Sequence, residues 1–157
     1  MNNFITNLLL IKDQKITMED KLDLTNVGGQ DTFVFHGALS YKPKWCVNCG
    51  CIKEGNNIVK NGFTDPLKIT LLKMSECPTY LRLKKQRFKC KEYNSKFCAV
   101  TSFVKKYYNI SKNLIFHIMK NLSKTLSFKD IAELSNVSVS TVVRVMKSCR
   151  EAVEVKT

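Results

Sequence analysis

Ser127-Phe-Lys-Asp-Ile-Ala-Glu-Leu-Ser-Asn-Val-Ser-Val-Ser-Thr-Val-Val-Arg-Val-Met-Lys147 predicts two short helices joined by a tight turn. Ser127 can cap the first helix, and Asp130 stands three residues later, as in a capping box. Asn136 falls at the turn, where its side chain tolerates a left-handed backbone. Ser138 can then cap the second helix. This is the pattern of a helix-turn-helix, which lays its second helix in the major groove of DNA.

The two faces of the predicted second helix differ in chemistry. Val142, Val145 and Met146 point back at the first helix, from which Ile131 and Leu134 supply apolar contacts. The outward face carries small hydroxyls and cations, which suit base edges and phosphates. An αα-hairpin in an ordinary core is the alternative interpretation. The residues predicted to contact DNA from this helix are Ser138, Ser140, Thr141, Arg144 and Lys147.

The chain is strongly basic, with 157 residues and a net charge of +13. The charge is uneven: residues 42–109 carry fifteen Lys and Arg against four acidic residues, and residues 110–157 carry eight against four. Residues 1–41, in contrast, carry three Lys against five acidic residues. We therefore expect an anionic partner, double-stranded DNA in particular. A solvated lysine-rich surface is the alternative.

The N-terminus and the seven cysteines bear on the cellular compartment. The short apolar run Phe4 to Ile11 has no basic start and no small-residue cleavage site, so no signal peptide is predicted. No apolar run has the length of a membrane span, and no membrane partner is expected. We expect a cytoplasmic protein, because clustered cysteines in a reducing compartment favour a metal over disulfides.

Two segments have the shape of a zinc knuckle. In Cys46-Val-Asn-Cys49-Gly50, two thiolates stand across a two-residue gap, and the glycine lets the chain turn back. Cys90-Lys-Glu-Tyr93-Asn94 has the same shape, with Asn as a substitute for Gly. However, Tyr93 occupies the position of the fourth thiolate. A phenol, whose reference pKa is about 10, binds zinc far less readily than a thiolate.

The knuckles predict a zinc site that needs one substitute ligand. Cys98 can complete it if the chain loops back, whereas Cys51 is expected to compete sterically with Cys49. A ribbon that has lost tight metal binding is the alternative. The predicted zinc ligands are Cys46, Cys49, Cys90 and Cys98.

Residues 42 to about 100 are predicted to form small antiparallel strands between the cysteine turns. The strand candidates are Ile58 to Phe63, Leu67 to Lys73, and Tyr80 to Phe88. In the last of these, Leu81 and Leu83 alternate with cations, so one face is buried and the other is basic. The basic face is predicted to hold DNA phosphates through Arg82, Lys84, Lys85 and Arg87.

Helical periodicity begins after about residue 101. Ile110, Leu114, Ile118 and Leu122 recur every fourth residue, and Ser111 stands at the cap position. This helix is expected to pack under the two that follow. The predicted fold class is therefore α+β: a small antiparallel zinc-ribbon-like β module followed by a three-helix helix-turn-helix module.

The expected domains follow one another along the chain. They are an N-terminal leader (residues 1–40), a zinc-ribbon-like domain (41–100) and a helix-turn-helix DNA-binding domain (101–157). Within the leader, residues 2–11 are predicted as a short amphipathic helix and residues 31–41 as an extended segment.

Four parts of the chain together carry a family resemblance. They are Tyr41-Lys-Pro-Lys-Trp-Cys-Val-Asn-Cys-Gly50, Tyr80-Leu-Arg-Leu-Lys-Lys-Gln-Arg-Phe-Lys-Cys90, Phe97, and the 127–147 stretch. In this order they resemble the N-terminal half of a bacterial insertion-sequence transposase of the ISL-three family, over nearly all of residues 41–150. Residues 1–13 also resemble that family's short leader. The family has a Cys where this chain has Tyr93.

The resemblance implies recognition of the terminal inverted repeats of an insertion element. It also implies zinc as cofactor and, besides DNA, a homodimer or a full-length transposase as partner. The family's catalytic domain, with its acidic triad, follows the helix-turn-helix, whereas this chain ends at Thr157. Its thirteen acidic residues are scattered, with no set suited to two metal ions. We therefore expect a truncated, non-enzymatic DNA-binding protein; a stand-alone transcriptional regulator and a non-functional remnant are the alternatives.

Overall fold

The computed structural model describes residues 2–155, which form four helices and six strands. The helices are α1 (Asn2–Leu8), α2 (Lys112–Leu122), α3 (Phe128–Ser135) and α4 (Val139–Glu154). The strands are β1 (Ile16–Val27), β2 (Gln30–Leu39), β3 (Ile58–Phe63), β4 (Leu67–Thr70), β5 (Thr79–Cys90) and β6 (Ser95–Cys98). Met1 and residues 156–157, the ends of the predicted leader and C-terminal domain, lie outside the described residues. Within that range, every helix is too short or too polar to cross a membrane.

The predicted fold class, a small zinc-ribbon-like module followed by a three-helix helix-turn-helix module, is wrong. A single six-stranded sheet dominates, with the order β1-β2-β5-β3 and with β4 and β6 also paired to β5. β1 and β2 contribute 12 and 10 residues to it, although the sequence assigns residues 1–40 to a leader. Gly28 and Gly29, with φ of 61° and 83°, connect the two strands through the left-handed turn that suits a hairpin.

Strand β5 pairs with β2, β3, β4 and β6. Its buried side chains stand at odd positions in its first half and at even positions in its second half. Its buried positions are Thr79, Leu81, Leu83, Gln86, Phe88 and Cys90. The phase changes at Gln86, whose amide nitrogen donates to the Gly62 carbonyl at 2.7 Å and whose amide oxygen is 3.4 Å from the Ser40 hydroxyl. Arg82 and Arg87 are five residues apart and the buried positions change phase between them, so regular alternation does not place the predicted cations on one shared face.

The described chain forms two compact units. The first comprises Met1–Leu22, Phe35–Lys68 and Leu81–Phe103, and the second comprises Asp23–Val34, Ile69–Tyr80 and Val104–Thr157. These units interleave along the chain, whereas the predicted domains are consecutive. Compact units need not be independent domains, so the boundaries at residues 41 and 101 stay a prediction.

The first unit is centred on Phe88 and apolar side chains of the sheet. The Phe88 ring lies 5.7 Å from the ring of Tyr41 and 5.2 Å from that of Phe97, measured between centroids. Leu81 and Leu83 are fully buried, as the alternation in this strand predicts. The strand that precedes the second cysteine segment is therefore fixed by apolar burial.

The second unit has a helical core to which α2, α3 and α4 all contribute. Its fully buried side chains are Leu114, Ile118, Ile131, Val142 and Val145. The prediction that Leu134 joins this core is wrong, because 47% of Leu134 is exposed. On α3 the inward face is Ile131, Ala132 and Ser135, which share one side of the helix at spacings of one and four residues.

The predicted helix ends are confirmed. Ser127 and Asp130 form a reciprocal capping box at the start of α3. Asn136 ends α3 in the left-handed region, with φ 53° and ψ 46°. Ser111 and Ser138 accept from backbone N–H groups at the starts of α2 and α4. These caps satisfy donors that a helix start otherwise leaves without partners.

Candidate functional site

Residues 44–53 form a short two-armed turn, which we call the cysteine hairpin. Cys46 N donates to the Cys51 carbonyl at 2.9 Å, and Lys53 N donates to the Lys44 carbonyl at 2.9 Å. Between the arms, Gly50 N donates to the Cys46 carbonyl at 2.8 Å, with φ +75° at Gly50. A residue with a Cβ is strained at that φ, so the glycine is what lets the chain turn back after Cys49.

The cysteine hairpin meets the end of β5 in a cluster of sulfur atoms. The Sγ atoms of Cys46, Cys49 and Cys90 all lie within 4.8 Å of one another. Cys49 Sγ is 3.7 Å from Cys90 Sγ, and Cys51 Sγ is 3.4 Å from Cys90 Sγ. A tetrahedral zinc with Zn–S bonds of about 2.3 Å separates its sulfurs by roughly 3.8 Å. The cluster therefore has the dimensions needed to hold one metal ion.

The structure does not bring Cys98 to this cluster. In the β5–β6 register, Cys90 stands opposite Ser95, whereas Cys98 stands opposite Arg87. Three residues along a strand separate the two positions by roughly 10 Å and place them on opposite faces. The thiol next to Cys90 is instead that of Cys51, although the sequence predicts that Cys51 competes sterically with Cys49.

The second segment keeps the turn of a zinc knuckle without its ligand. Asn94 has φ +50°, the left-handed conformation that Gly50 supplies in the first knuckle. Tyr93, at the expected ligand position, is 74% exposed. The turn therefore forms without a thiolate at position 93.

Neighbouring groups set the acidity of the clustered thiols. The Ser95 hydroxyl, 3.4 Å from Cys46 Sγ, lowers the pKa of Cys46 to about 6. Hydrogen bonds with Cys49 and then Cys90 raise the pKa of Cys51 to about 12. Thiols this close cannot all ionise unless a cation balances their charge. A divalent metal would supply that cation and hold every ligating thiol as thiolate.

The basic face of β5 is only partly available to an anion. Arg82 and Arg87 are exposed, whereas Lys84 and Lys85 are half-buried. The Lys84 ammonium is 3.0 Å from a Glu19 carboxylate oxygen and 5.5 Å from the centroid of the Phe63 ring. The two arginines are therefore the better candidates for the predicted phosphate contacts.

The start of α4 presents the hydroxyls and cations predicted from its sequence. Ser138 and Ser140 are exposed and Thr141 is half-buried. The Ser138 hydroxyl oxygen lies 2.9 Å from the hydroxyl oxygens of both Ser140 and Thr141. Arg144 and Lys147 are exposed farther along the same helix. Polar groups thus occupy the side of α4 opposite its buried valines.

Two tyrosines beside these elements were missed by the sequence argument. The Arg144 guanidinium lies 4.3 Å from the centroid of the Tyr108 ring. At the turn between α3 and α4, the Asn136 amide nitrogen donates to the Tyr80 hydroxyl at 3.0 Å. The only signal in the sequence for the first contact is the basic-aromatic run Lys105-Lys-Tyr-Tyr108. Both contacts restrict groups that flank the start of α4.

No family model, curated protein or solved structure matches this chain. The cysteine cluster of the first unit and the helix surface of the second are the two candidate sites.

Proposed function

We propose that this chain binds duplex DNA through the exposed face of α4. The observation that supports this proposal best is the division of α4 into two faces. Val142 and Val145 are fully buried in the helical core, while Ser140, Arg144 and Lys147 are exposed at helical spacing. A helix anchored by one face and polar on the other can enter the major groove without rearranging its core.

The local geometry favours a rigid presentation of this face. The left-handed Asn136 fixes the turn between α3 and α4, and the hydrogen bond to Tyr80 holds that turn in place. Side chains that are already ordered lose less entropy when they bind. The net charge of +13 also favours an anionic partner.

The family resemblance suggests which DNA is bound. Recognition of terminal inverted repeats by an insertion-sequence transposase requires a sequence-selective contact of this kind. We extend the proposal accordingly: the preferred sites are duplex sequences of the inverted-repeat type, and exposed cations such as Arg82 and Arg87 add affinity through phosphates.

Selection from a random-sequence duplex library tests the proposal directly. We expect the full chain to enrich one motif, and Arg144→Ala to cost about 1–3 kcal/mol on that motif while relaxing specificity at one base pair. Arg144→Lys should not restore the specificity, since lysine lacks the planar fork that contacts guanine. Arg150→Ala is the matched control: Arg150 is exposed on the same helix but lines a groove with Met119 and Val153.

The possible results separate three cases. A specificity change confined to Arg144 variants supports base contact by α4. Equal losses on all sequences would make Arg144 a phosphate contact only. Failure of the folded wild-type chain to enrich any motif would overturn sequence-selective binding.

We also infer that the metal of the cysteine cluster is zinc and that Cys51 is its fourth ligand. A set of four thiolates is typical of structural zinc sites. Cys51 Sγ is 3.4 Å from Cys90 Sγ, within the range expected of two sulfurs on one ion. With all four positions filled by the protein, such an ion would stabilise the fold and leave no place for a substrate.

A zinc titration against a competing chelator tests the ligand set. Loss of an outer-shell partner alone typically weakens a site 10- to 100-fold, so Cys51→Ser should cost at least about that factor. Cys98→Ser is the matched control and should leave zinc affinity unchanged. Tyr93→Cys should change little while Cys51 holds the fourth position. If Cys98→Ser weakens the site and Cys51→Ser does not, our assignment of Cys51 is wrong.

A further inference from the structure

The turn between β6 and α2 places two cations against one aromatic ring. The ring of Tyr108 has the Arg144 guanidinium at 4.3 Å and the Lys105 ammonium at 5.2 Å from its centroid. Both residues are exposed. Each is attracted to the ring, but the two repel one another. The ring therefore lies in a region of positive potential, which favours an anionic partner.

The neighbouring residue presents its ring to solvent from a strained backbone. Tyr107 is 86% exposed, and its φ of +67° lies in the left-handed region. This conformation costs a non-glycine residue free energy, which the surrounding structure must offset. The Lys106 ammonium lies 5.0 Å from the centroid of the Tyr107 ring. The turn thus combines an exposed aromatic face with adjacent positive charge.

We propose that Lys105-Lys-Tyr-Tyr108, here called the tyrosine turn, is a second nucleic-acid contact that accepts an unstacked DNA base. The inference rests on the proposed function, because Arg144 belongs both to α4 and to the surroundings of Tyr108. Tyr107 would stack on the face of the base, and Lys105 would hold a flanking phosphate. Aromatic rings beside cations are the usual platform for unpaired bases.

The positive charge of this surface argues for nucleic acid over an apolar partner. Arg144, Lys105 and Lys106 all lie on or next to the two rings. An apolar partner would have to desolvate these charges with no compensation, at a large cost. A nucleotide offers an aromatic face to the tyrosine rings and a negative charge to the cations beside them.

The experiment compares an intact duplex of the selected motif with duplexes that carry one unpaired 2-aminopurine at successive flanking positions. At one position we expect tighter binding and quenching of the 2-aminopurine fluorescence by stacking. Tyr107→Ala should lower affinity for that duplex roughly 5- to 150-fold, the equivalent of one base–aromatic stack. Affinity for the intact duplex should change much less. Tyr93→Ala, a change at another exposed tyrosine, is the matched control and should bind both duplexes like the wild type.

Two further variants separate stacking from folding. Tyr107→Phe keeps the ring and should retain the preference for the unpaired base. Tyr107→Gly relieves the positive φ, so it should fold at least as stably as the wild type while losing the preference. If Tyr107→Phe loses as much as Tyr107→Ala, the ring is not the contact and the stacking proposal is overturned.

Failure of this inference differs from failure of the proposed function. A wild-type chain that binds neither kind of duplex would overturn DNA binding itself. A wild-type chain that binds the intact motif, shows no preference at any flanking position and is unaffected by Tyr107→Ala would overturn the tyrosine turn alone.

Discussion

The cysteine hairpin and the helical core of the second unit are stabilised by different forces. Within the hairpin, only Cys46 is buried, while Trp45, Val47 and Ile52 are each more than half exposed. In the helical core, Leu114 and Ile131 are among five large side chains with no exposed surface. One region therefore has clustered thiols and little apolar burial, whereas the other is rich in apolar burial.

This difference shows where a metal should matter. Apolar burial supplies most of the stability of a packed core, so the helices need no ion. A ten-residue hairpin with one buried side chain has almost no such contribution. We therefore expect the metal to affect the local structure of the hairpin far more than the helices.

The largest expected effect is that of removing the metal. Trp45 is the single tryptophan of the chain and lies in the cysteine hairpin, so its fluorescence reports on that region. We expect a strong chelator to shift this emission and re-addition of zinc to reverse the shift, while the far-ultraviolet helical signal stays constant. If the chelator removed the helical signal together with the tryptophan signal, the helices would also depend on the metal. That result would contradict the expected difference between the two regions.

A smaller effect is expected from a cavity in the helical core. Leu114→Ala should lower the free energy of unfolding by about 2–5 kcal/mol, as is usual for a buried leucine. The loss, measured by denaturant titration of the helical signal, should be the same with zinc and with chelator. Leu134→Ala is the control: because Leu134 is 47% exposed, it should cost much less. A cost for Leu114→Ala that depends on zinc would contradict independent stabilisation.

The smallest effect concerns the cap of α3. Ser127→Ala removes the capping box with Asp130 and should cost about 1 kcal/mol in thermal or denaturant unfolding. Ser140→Ala, at the second residue of α4, leaves the Ser138 cap in place and should cost less than this. If the two substitutions lowered the free energy of unfolding equally, the Ser127 cap would contribute no more than an exposed serine without a capping role.

The capping box also has a pH dependence of known sign. Hydrogen bonds from Ser127 lower the pKa of Asp130 below its ordinary value. The stabilisation is therefore complete above that value and is lost as the pH falls through the lower folded pKa. The difference between wild type and Ser127→Ala should be largest near neutral pH and should shrink in strong acid to the part that comes from the Ser127 hydroxyl accepting from Asp130 N.

Local features of the helices could be predicted from the sequence, and long-range ones could not. Ser127, Asp130 and Asn136 act within four residues of chain, so their pattern suffices to locate α3 and its turn. The same holds for β3, whose predicted bounds, Ile58 to Phe63, are those of the structure. Leu134 was misassigned because the orientation of a helix of eight residues depends on the partners it packs against.

Strand β1 shows why the full extent of the sheet could not be predicted. Of its 12 residues only Ile16 and Met18 are buried, and the charged run from Glu19 to Asp23 interrupts any alternation. Strand formation there depends on pairing with β2 across the Gly28-Gly29 turn. That pairing is a tertiary effect, which outweighs the weak local preference.

The thiol nearest to Cys90 could not be chosen from spacing alone. Cys51 and Cys98 both lie near a knuckle in sequence, but the register of β5 and β6 places Cys98 opposite Arg87, while Cys51 Sγ lies 3.4 Å from Cys90 Sγ. The tyrosine turn could not be predicted for a similar reason. The positive φ of Tyr107 and the proximity of Arg144 to Tyr108 are properties of the folded chain.

The arrangement of the four clustered cysteines also bears on the order of folding. Three of them, from Cys46 to Cys51, fall within six residues, whereas Cys90 is 39 residues beyond Cys51. If these thiols bind zinc as proposed, the hairpin can capture the ion while the rest of the chain is still unfolded, and the arrival of Cys90 then closes a long loop. Such a closure acts as a reversible cross-link, whose entropic benefit grows with loop length. We expect zinc to accelerate refolding monitored through Trp45, because the bound ion shortens the search by which β5 finds its neighbours.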